Sequence, residues 1–226
     1  GTWNYGIEQL LNWQAVNKKR KLVILSGTID QEVSLCEISS IDKNIALNIS
    51  RLLRSGGLDN YRKFLNCLNY LVVDEKLIPD DFLNITFYAD PYLHDWKNES
   101  GEKIGIISYK SLFLANEIEV NEKLNLQLRK CGLSPKTFFI STLKDHIIQK
   151  KLIEIFKKED IKLIITTTSF SSSQIKNNEL IENSTNIFTS LKIPILQLLS
   201  SNRSRKKWLN SSIGMNSSDL LMQIII

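Results

Sequence analysis

From residue 104 onward, short apolar runs alternate with segments whose apolar residues recur at a helical period. The runs predict four strands, over residues 104–109, 136–141, 163–167 and 193–199. The segments between them predict helices over 117–130, from a cap at Asp145 onward, and over 186–191. Strands that are buried on both faces and separated by helices are typical of parallel sheets. This part of the chain therefore predicts a parallel sheet with helices on both of its sides.

Two of these helices carry end signals and an apolar face. Gly132 follows a basic last turn and predicts a helix stop, and Asp145 is a suitable N-cap. The apolar positions of the first helix are Val120, Leu124, Leu126 and Leu128. Those of the second are Ile147, Ile148, Leu152, Ile153 and Phe156.

The first third of the chain repeats the pattern more weakly. An amphipathic helix is predicted over 7–16, and Leu22 to Leu25 predicts a strand that ends at Ser26-Gly27. Two further helices, 41–54 and 59–71, flank Gly56-Gly57, and Asp59 is the expected N-cap of the second. The predicted fold class is α/β, with two Rossmann-like lobes whose mostly parallel sheets are flanked by helices.

The expected domain boundaries follow from turn residues and from the end of the chain. Residues 1–75 are predicted to form a first α/β lobe, incomplete at its N-terminus, and residues 102–202 a second lobe. Residues 76–101 are rich in turn residues and predict a linker or crossover. Residues 203–226 end in an apolar run, which soluble proteins rarely expose. We therefore expect them to be the truncated start of a further domain, and the chain to be a fragment of a longer protein.

Composition and charge narrow the class of protein. The chain of 226 residues is 42% hydrophobic with a net charge of +5, and no apolar run approaches the roughly 20 residues of a membrane span. Its cysteines, Cys36, Cys67 and Cys131, are widely spaced and predict reduced thiols in a cytoplasmic protein without a structural zinc site. The basic clusters at 18–21 and 203–207 lack an aromatic platform, so we expect neither a nucleic-acid nor a membrane partner.

Three loops at strand ends are the candidate binding site. Open α/β sheets bind ligands outside the carboxyl ends of their strands, where backbone N–H groups converge. The loops after Tyr109, Thr167 and Leu199 lie at such ends, and the second loop, 166–174, is rich in hydroxyl groups. These hydroxyls suit anions or amide groups, and they equally suit a serine-rich turn that satisfies its own backbone.

Several kinds of catalytic site are excluded by the absence of their motifs. Gly56-Gly57 lacks the Lys-Ser/Thr of a phosphate-binding loop, and neither a dinucleotide fingerprint nor a nucleophile elbow occurs. His94 and His146 each stand beside a carboxylate, but adjacent residues rarely chelate one ion, so we expect structural or surface roles. No catalytic residue, metal ligand or cofactor is therefore assigned to this segment.

Five segments carry a family resemblance, namely 3–10, 53–60, 104–111, 166–170, and 193–197 together with the tail 204–226. In this order they resemble the large subunit of cobaltochelatases of the CobN type. The matching features are an aromatic-x-Tyr-Gly start, a Gly-Gly-x-x-Asn turn, a Tyr-Arg-Ser strand end, a Thr-Thr-Ser-Phe loop, and a Leu-Gln strand with a Ser-Arg-x-x-Trp tail. The large (H) subunit of magnesium chelatase shares this organisation, and the strand and tail fit the cobalt branch better.

The resemblance implies a protein that binds a tetrapyrrole and inserts a divalent metal. Partner subunits of the AAA+ and metal-ion-dependent-adhesion types would supply ATP hydrolysis, so the complete system implies ATP, Mg²⁺ and Co²⁺. Together with the strand-end rule, it implies substrate contacts at Tyr109, Lys110, Ser111, Thr167, Thr168, Ser169 and Gln197. Lys110 is expected to pair with a macrocycle carboxylate, and Thr167, Thr168 and Gln197 to bond to amide groups.

The sequence departs from the family pattern at histidine positions. Leu112 stands where the family has His after the strand-end motif, and Gln223 stands for a tail His, as in many magnesium-type members. Asn116-Glu117 replaces the family's Gly-Asn. Losing imidazoles removes neutral ligands and proton acceptors near pH 7, so the resemblance implies fold and ligand class more directly than chemistry.

The sequence thus predicts a fragment of the tetrapyrrole-binding large subunit of an ATP-dependent cobalt chelatase, acting on a corrin precursor in cobalamin biosynthesis. Three alternatives stay open. They are a magnesium chelatase-type subunit acting on protoporphyrin, a non-catalytic α/β binding or interaction module, and a periplasmic-type binding protein. The fragment by itself is expected to be inactive, and the remaining domains of its chain to be among its partners.

Overall fold

The structure is a computed structural model that describes residues 6–25, 32–94, 99–168, 175–176, 179–180, 187–198 and 204–212. Its packing divides the chain into two compact units. The first comprises Gly1–Phe87 with Leu114–Asn116, and the second Tyr88–Phe113 with Glu117–Ile226. Ser169 and residues 213–226 of the tail lie outside the described residues. None of the helices within the described ranges has the length and apolar character needed to cross a bilayer.

Helices make up the regular structure of the first unit in its described part. They are α1 (Ile7–Val16), α2 (Glu32–Cys36), α3 (Lys43–Ser55), α4 (Leu58–Val73), a 3₁₀ helix (Glu75–Leu77) and α5 (Asp80–Leu83). Helix α3 begins at Asp42, whose carboxylate accepts the backbone N–H groups of Asn44 and Ile45, as expected of an N-cap. The buried core consists of Cys36, Ile41, Ala46, Ile49, Leu52, Cys67, Leu71 and Ile78. All three cysteines of the chain are free thiols.

The predicted strand at Leu22 to Leu25 is wrong, and the described part of the first unit contains no strand. Among the described residues, serine hydroxyls bond the backbone N–H groups of this segment in place of a neighbouring strand. The N–H of Leu22 donates to Ser40 Oγ at 2.7 Å, and the N–H of Ile24 donates to Ser39 Oγ at 2.9 Å. An apolar run shows that a segment is buried, but it does not show whether a partner strand exists.

The turn between α3 and α4 is built from two glycines. Gly56 and Gly57 have φ angles of 64° and 84°, in the left-handed region that side chains disfavour. Gly57 occupies the N-cap position of α4. The predicted N-cap, Asp59, is therefore wrong: it lies in the first turn of the helix, where its charge suits the helix dipole.

The second unit contains the predicted sheet. Its strands are β1 (Tyr92–His94), β2 (Lys103–Tyr109), β3 (Ser134–Ile140), β4 (Leu163–Thr166) and β7 (Ile195–Gln197), with β5 (Ile175–Lys176) and β6 (Glu179–Leu180) in a separate antiparallel pair. The five-stranded order is β1-β3-β2-β4-β7, in which β1 alone runs antiparallel. The helices are α6 (Lys110–Leu114), α7 (Glu119–Lys130), α8 (His146–Lys158), α9 (Ile187–Leu191) and α10 (Arg205–Leu209). The α/β class with a mostly parallel sheet flanked by helices is confirmed.

Residues 76–101, predicted to be a linker or crossover, contain ordered elements. Helix α5 follows Ile78, which is buried in the core of the first unit, and β1 joins the sheet of the second unit. Both elements are short, and such elements leave little periodicity in a sequence. The predicted domain boundaries themselves stay a prediction.

The two faces of the sheet are built differently, because successive strand residues point to opposite sides. The face that carries Ile107 packs on α8 through an apolar cluster: Ile107, Phe138, Ile140, Leu143, Ile148, Leu152, Phe156, Ile161, Ile164 and Ile187. By strand alternation the same face carries the buried polar residues Lys136 and Thr166. The face that carries Ile106 packs on Leu124 and Leu128 of α7. This second face also buries the polar residues Ser108 and Thr137.

Helix α7 buries polar residues that the apolar pattern did not select. Its buried residues are Asn121 and Asn125, whereas the predicted apolar positions Val120 and Leu126 are 56% and 51% exposed. Asn121 Nδ2 donates to Ser108 Oγ at 2.6 Å, and the amide of Asn125 exchanges hydrogen bonds with the Thr137 hydroxyl at 3.0 and 3.1 Å. These bonds to the strands allow the amides to be buried.

Candidate functional site

The strand order creates a crevice at the carboxyl edge of the sheet. From β2 the chain passes through α7 to β3 on one side, and then through α8 to β4 on the other side of β2. Ligands of open α/β sheets bind at such a topological switch point, because the connecting loops diverge there. The described ends of β2, β3 and β4 are therefore the expected location of a binding site.

A cavity of about 470 Å³ opens at this edge, within the size range of small-molecule sites. Hydroxyl side chains dominate its lining. Tyr109 ends β2, Ser111 lies in the first turn of α6, and Thr168 follows β4. The complete lining is Tyr109, Ser111, Ser141, Thr142, Leu143, Lys144 and Thr168.

Three of the seven sequence-derived site residues thus line one cavity, namely Tyr109, Ser111 and Thr168. They come from two segments about 60 positions apart in the chain, joined by the parallel pairing of β2 and β4. Ser169 lies outside the described residues. The roles of these residues in binding stay a prediction.

Three other predicted site residues do not line this cavity, namely Lys110, Thr167 and Gln197. Lys110 Nζ donates to the carbonyl of Tyr88 at 2.7 Å, and Lys110 is not part of the cavity lining. Thr167 lies only 2.7 Å from Ser108 Oγ, through its own Oγ1, on the face that packs on α7. Gln197 is exposed, and its amide donates to the carbonyl of Thr168 at 3.5 Å.

A buried polar network fixes the loop that carries Thr168. Ser108 Oγ bonds to both Asn121 and Thr167, and the N–H of Thr167 donates to the carbonyl of Ile107 at 2.9 Å. Thr168 Oγ1 lies 2.8 Å from Thr166 Oγ1. These bonds hold the loop after β4 to the end of β2, so the hydroxyls partly serve the local backbone, as the alternative sequence interpretation holds.

The loop after β3, residues 141–144, supplies four lining residues that were not expected from the sequence. Thr142 Oγ1 accepts the N–H of Lys144 at 3.1 Å, and Asp145 accepts the N–H of Ile147 at 2.7 Å as the N-cap of α8. The signal was present, since the strand and the cap were both predicted. What the sequence does not reveal is that β3 is the neighbour of β2.

The histidines occupy two different environments. The His94 ring lies among aromatic rings, with centroids 5.4 Å from Phe113 and 5.9 Å from Phe139. His146 is exposed at the start of α8. Within the described ranges, no group of three or more His, Cys, Asp or Glu side chains is placed to hold a metal ion.

Gly56-Gly57 does not fit a nucleotide. Both glycines are buried, and the N–H of Gly57 donates to the carbonyl of Leu114 at 2.8 Å. A phosphate-binding loop instead turns its N–H groups towards the ligand. This turn therefore joins two helices and offers no phosphate cradle.

Comparison with known proteins adds a decisive observation, because the model of the CobN/magnesium chelatase family matches residues 50–226. The chain belongs to this family. The match covers the cavity-lining residues and the Gly-Gly turn. The family resemblance seen in the sequence is confirmed.

Similar proteins agree with this membership. The chain is 24% identical over 237 residues to the aerobic cobaltochelatase subunit CobN of Pseudomonas aeruginosa, covering 100% of this chain and 18% of that protein. It is 28% identical over 207 residues to an uncharacterized protein of Methanocaldococcus jannaschii, covering 81% of this chain and 17% of that one. The chain thus spans less than a fifth of the length of either relative.

The fold also matches a solved structure. The catalytic subunit of cobaltochelatase from Mycobacterium tuberculosis superimposes with a TM-score of 0.74 over 98% of this chain and 18% of that chain. Sequence identity is 19%, so the likeness concerns the fold alone.

Proposed function

We propose that this chain is part of the tetrapyrrole-binding large subunit of an ATP-dependent cobalt chelatase, which inserts Co²⁺ into a corrin precursor in cobalamin biosynthesis. The observation that carries the proposal is the cavity at the switch point of the sheet. Its residues Tyr109, Ser111 and Thr168 come from two motifs that resemble this family. Co²⁺ and the corrin precursor are both substrates in this scheme.

In this proposal, the chain itself shapes part of the pocket and orients the macrocycle. The hydroxyls of Ser111 and Thr168 are placed to bond to polar side groups of a macrocycle, and buried Leu143 supplies an apolar surface. In this proposal, partner subunits of the AAA+ and metal-ion-dependent-adhesion types bind ATP and Mg²⁺. The Gly56-Gly57 turn is not assigned this role, because the N–H of Gly57 is already bonded within the fold. The remaining domains of a chelatase large subunit would complete the pocket.

A magnesium chelatase-type subunit acting on protoporphyrin is the second candidate. Gln223 favours it, because this position resembles many magnesium-type members rather than those with a histidine. Leu112 and Gln223 together favour a third, a non-catalytic binding module, since imidazoles that serve as ligands or proton acceptors are replaced. Ligand preference and metal insertion distinguish these candidates.

The test is a titration of the full-length protein with a cobalt-free corrinoid and, separately, with protoporphyrin, followed by absorption spectroscopy. The proposal expects tighter binding of the corrinoid. Thr168→Ala should weaken binding about fivefold, since a neutral hydrogen bond contributes about 1 kcal/mol. Ser100→Ala is the matched control, because Ser100 is exposed and lies outside the lining.

Three results would contradict the proposal in different ways. Tighter binding of protoporphyrin would favour the magnesium-type candidate. Corrinoid binding without any insertion of Co²⁺ in the presence of ATP and the partner subunits would favour the non-catalytic module. Unchanged affinity in Thr168→Ala, with an unchanged circular dichroism spectrum, would remove the cavity as the site.

A further inference from the structure

The cavity at the carboxyl edge has a distinct chemical character. Its lining offers hydroxyl groups from both sides, with Ser111 and Tyr109 on the β2 side and Ser141 and Thr142 on the β3 side. Among the described lining residues, Lys144 is the one that carries a charge, and none is a carboxylate. Hydroxyl donors beside an ammonium group suit an anion.

Two carboxylates beside this lining, Asp90 and Asp145, accept hydrogen bonds from backbone donors. Asp90 accepts the N–H of Ser141 through both oxygens, at 3.2 and 3.3 Å. Asp145, the residue after Lys144, accepts the N–H of Ile147. Each of these two carboxylates therefore accepts a backbone N–H group, Asp90 from another loop and Asp145 from its own turn.

We propose that this cavity is a carboxylate subsite, in which Lys144 and the surrounding hydroxyls bind an ionised acid side chain of the ligand and discriminate against the corresponding amide. The inference rests on the proposed function, whose ligand class carries such side chains. It assigns to Lys144 the role that sequence analysis gave to Lys110. Lys110 Nζ is held by the carbonyl of Tyr88.

Discrimination follows from charge. An amide and a carboxylate have nearly the same shape, so hydroxyl groups, which donate and accept, accommodate both. An ammonium group donates and has no acceptor, and its bond to an ionised oxygen is about twice as strong as a neutral one. A site with Lys144 on its rim therefore favours the acid over the amide.

The test uses two corrinoids with the same macrocycle, dicyanocobyrinic acid with carboxylate side chains and dicyanocobinamide with amides. Both are titrated against the full-length protein at pH 7, followed by absorption. Lys144→Met should weaken binding of the acid about tenfold, the low end for a charged hydrogen bond at an exposed site, and leave binding of the amide unchanged. Lys144→Arg should restore the affinity for the acid.

Lys150→Met is the matched control, because Lys150 is an exposed lysine of α8 outside the lining. Lys144→Gln is the second variant, and circular dichroism checks the fold of each. An equal loss of affinity for both corrinoids, or no loss for the acid, overturns the carboxylate subsite and leaves the proposed function standing. If the wild-type protein binds neither corrinoid, both the proposed function and this inference are overturned.

Discussion

Asn60 is predicted to be a main support of the first unit. Its side chain is fully buried and makes three hydrogen bonds to the backbone. The amide donates to the carbonyls of Gly56 at 2.7 Å and Thr86 at 2.9 Å, and its oxygen accepts the N–H of Thr86 at 2.8 Å. The Gly-Gly-x-x-Asn motif thus ties the start of α4 to residue 86.

Replacing Asn60 by alanine removes all three bonds at once. Each backbone group left without a partner costs about 1–3 kcal/mol where it is buried, and alanine regains about 0.5 kcal/mol of helix propensity. Because Thr86 is half-buried and can be reached in part by water, we take the low end for each group and expect a net loss of about 2.5 kcal/mol. For a chain of this length, that corresponds to a melting temperature lower by roughly 5–10 °C.

Thermal melts followed by circular dichroism test this expectation. Asn69→Ala is the control, because it changes an exposed asparagine on the same helix and should melt near the wild-type temperature. Asn60→Asp keeps the shape but loses both donors and places a charge against two carbonyls, so it should be at least as unstable as Asn60→Ala. A melting temperature within about 2 °C of wild type for Asn60→Ala would refute the reasoning.

Two further predictions concern the sheet. Gly105→Ala places a methyl group 3.1 Å from Phe156 Cζ and 3.2 Å from Ile161 Cγ2, so urea unfolding should show a loss of about 1–3 kcal/mol; the double variant with Phe156→Leu should recover part of it, and full additivity would contradict the close approach. Burial lowers the pKa of Lys136 below its ordinary 10.5, against the opposing effect of Glu99. The folded protein therefore releases this proton at a lower pH than the unfolded chain, and stability should rise with pH in the window below 10.5. Urea midpoints measured from pH 7 to 10 should show a smaller rise in Lys136→Met, and equal slopes would contradict the assignment.

The centre of the sheet could be predicted because β2, β3 and β4 are buried on both faces, which leaves continuous apolar runs. Their order could not be predicted in the same way. Nothing in the sequence states that β3 lies next to β2, so Ser141 and Lys144 went unnoticed while Tyr109 and Thr168 were found. The sequence also does not show where Lys110 points, since a charged residue beside a strand end can reach a cavity or a local carbonyl; here its Nζ donates to the carbonyl of Tyr88.

The apolar pattern failed where polar groups satisfy one another. Asn121 and Asn125 can be buried because their amides donate hydrogen bonds to Ser108 and Thr137. A hydropathy pattern scores each residue separately, so it does not detect such a pair. At Leu22 and Ile24 the apolar pattern failed in the opposite way, because it predicted a strand that is not formed. Their apolar pattern is that of a strand, yet the hydroxyls of Ser40 and Ser39 replace the partner.

The difference between the two sheet faces sets how each helix tolerates change. Helix α8 meets the sheet through the apolar cluster, whose contacts have no direction, so exchanges among Leu, Ile and Met that conserve volume should cost little there. Its buried Gln149 is the exception, because it donates to the carbonyl of Leu143 and accepts the N–H of Ile187. Helix α7 is bound to the sheet by hydrogen bonds from Asn121 and Asn125, each to one hydroxyl group. Sliding α7 by one turn would break both hydrogen bonds, so they fix the position of the helix along the strands. A change of Asn121 or Asn125 therefore requires a matching change of Ser108 or Thr137 on the strand.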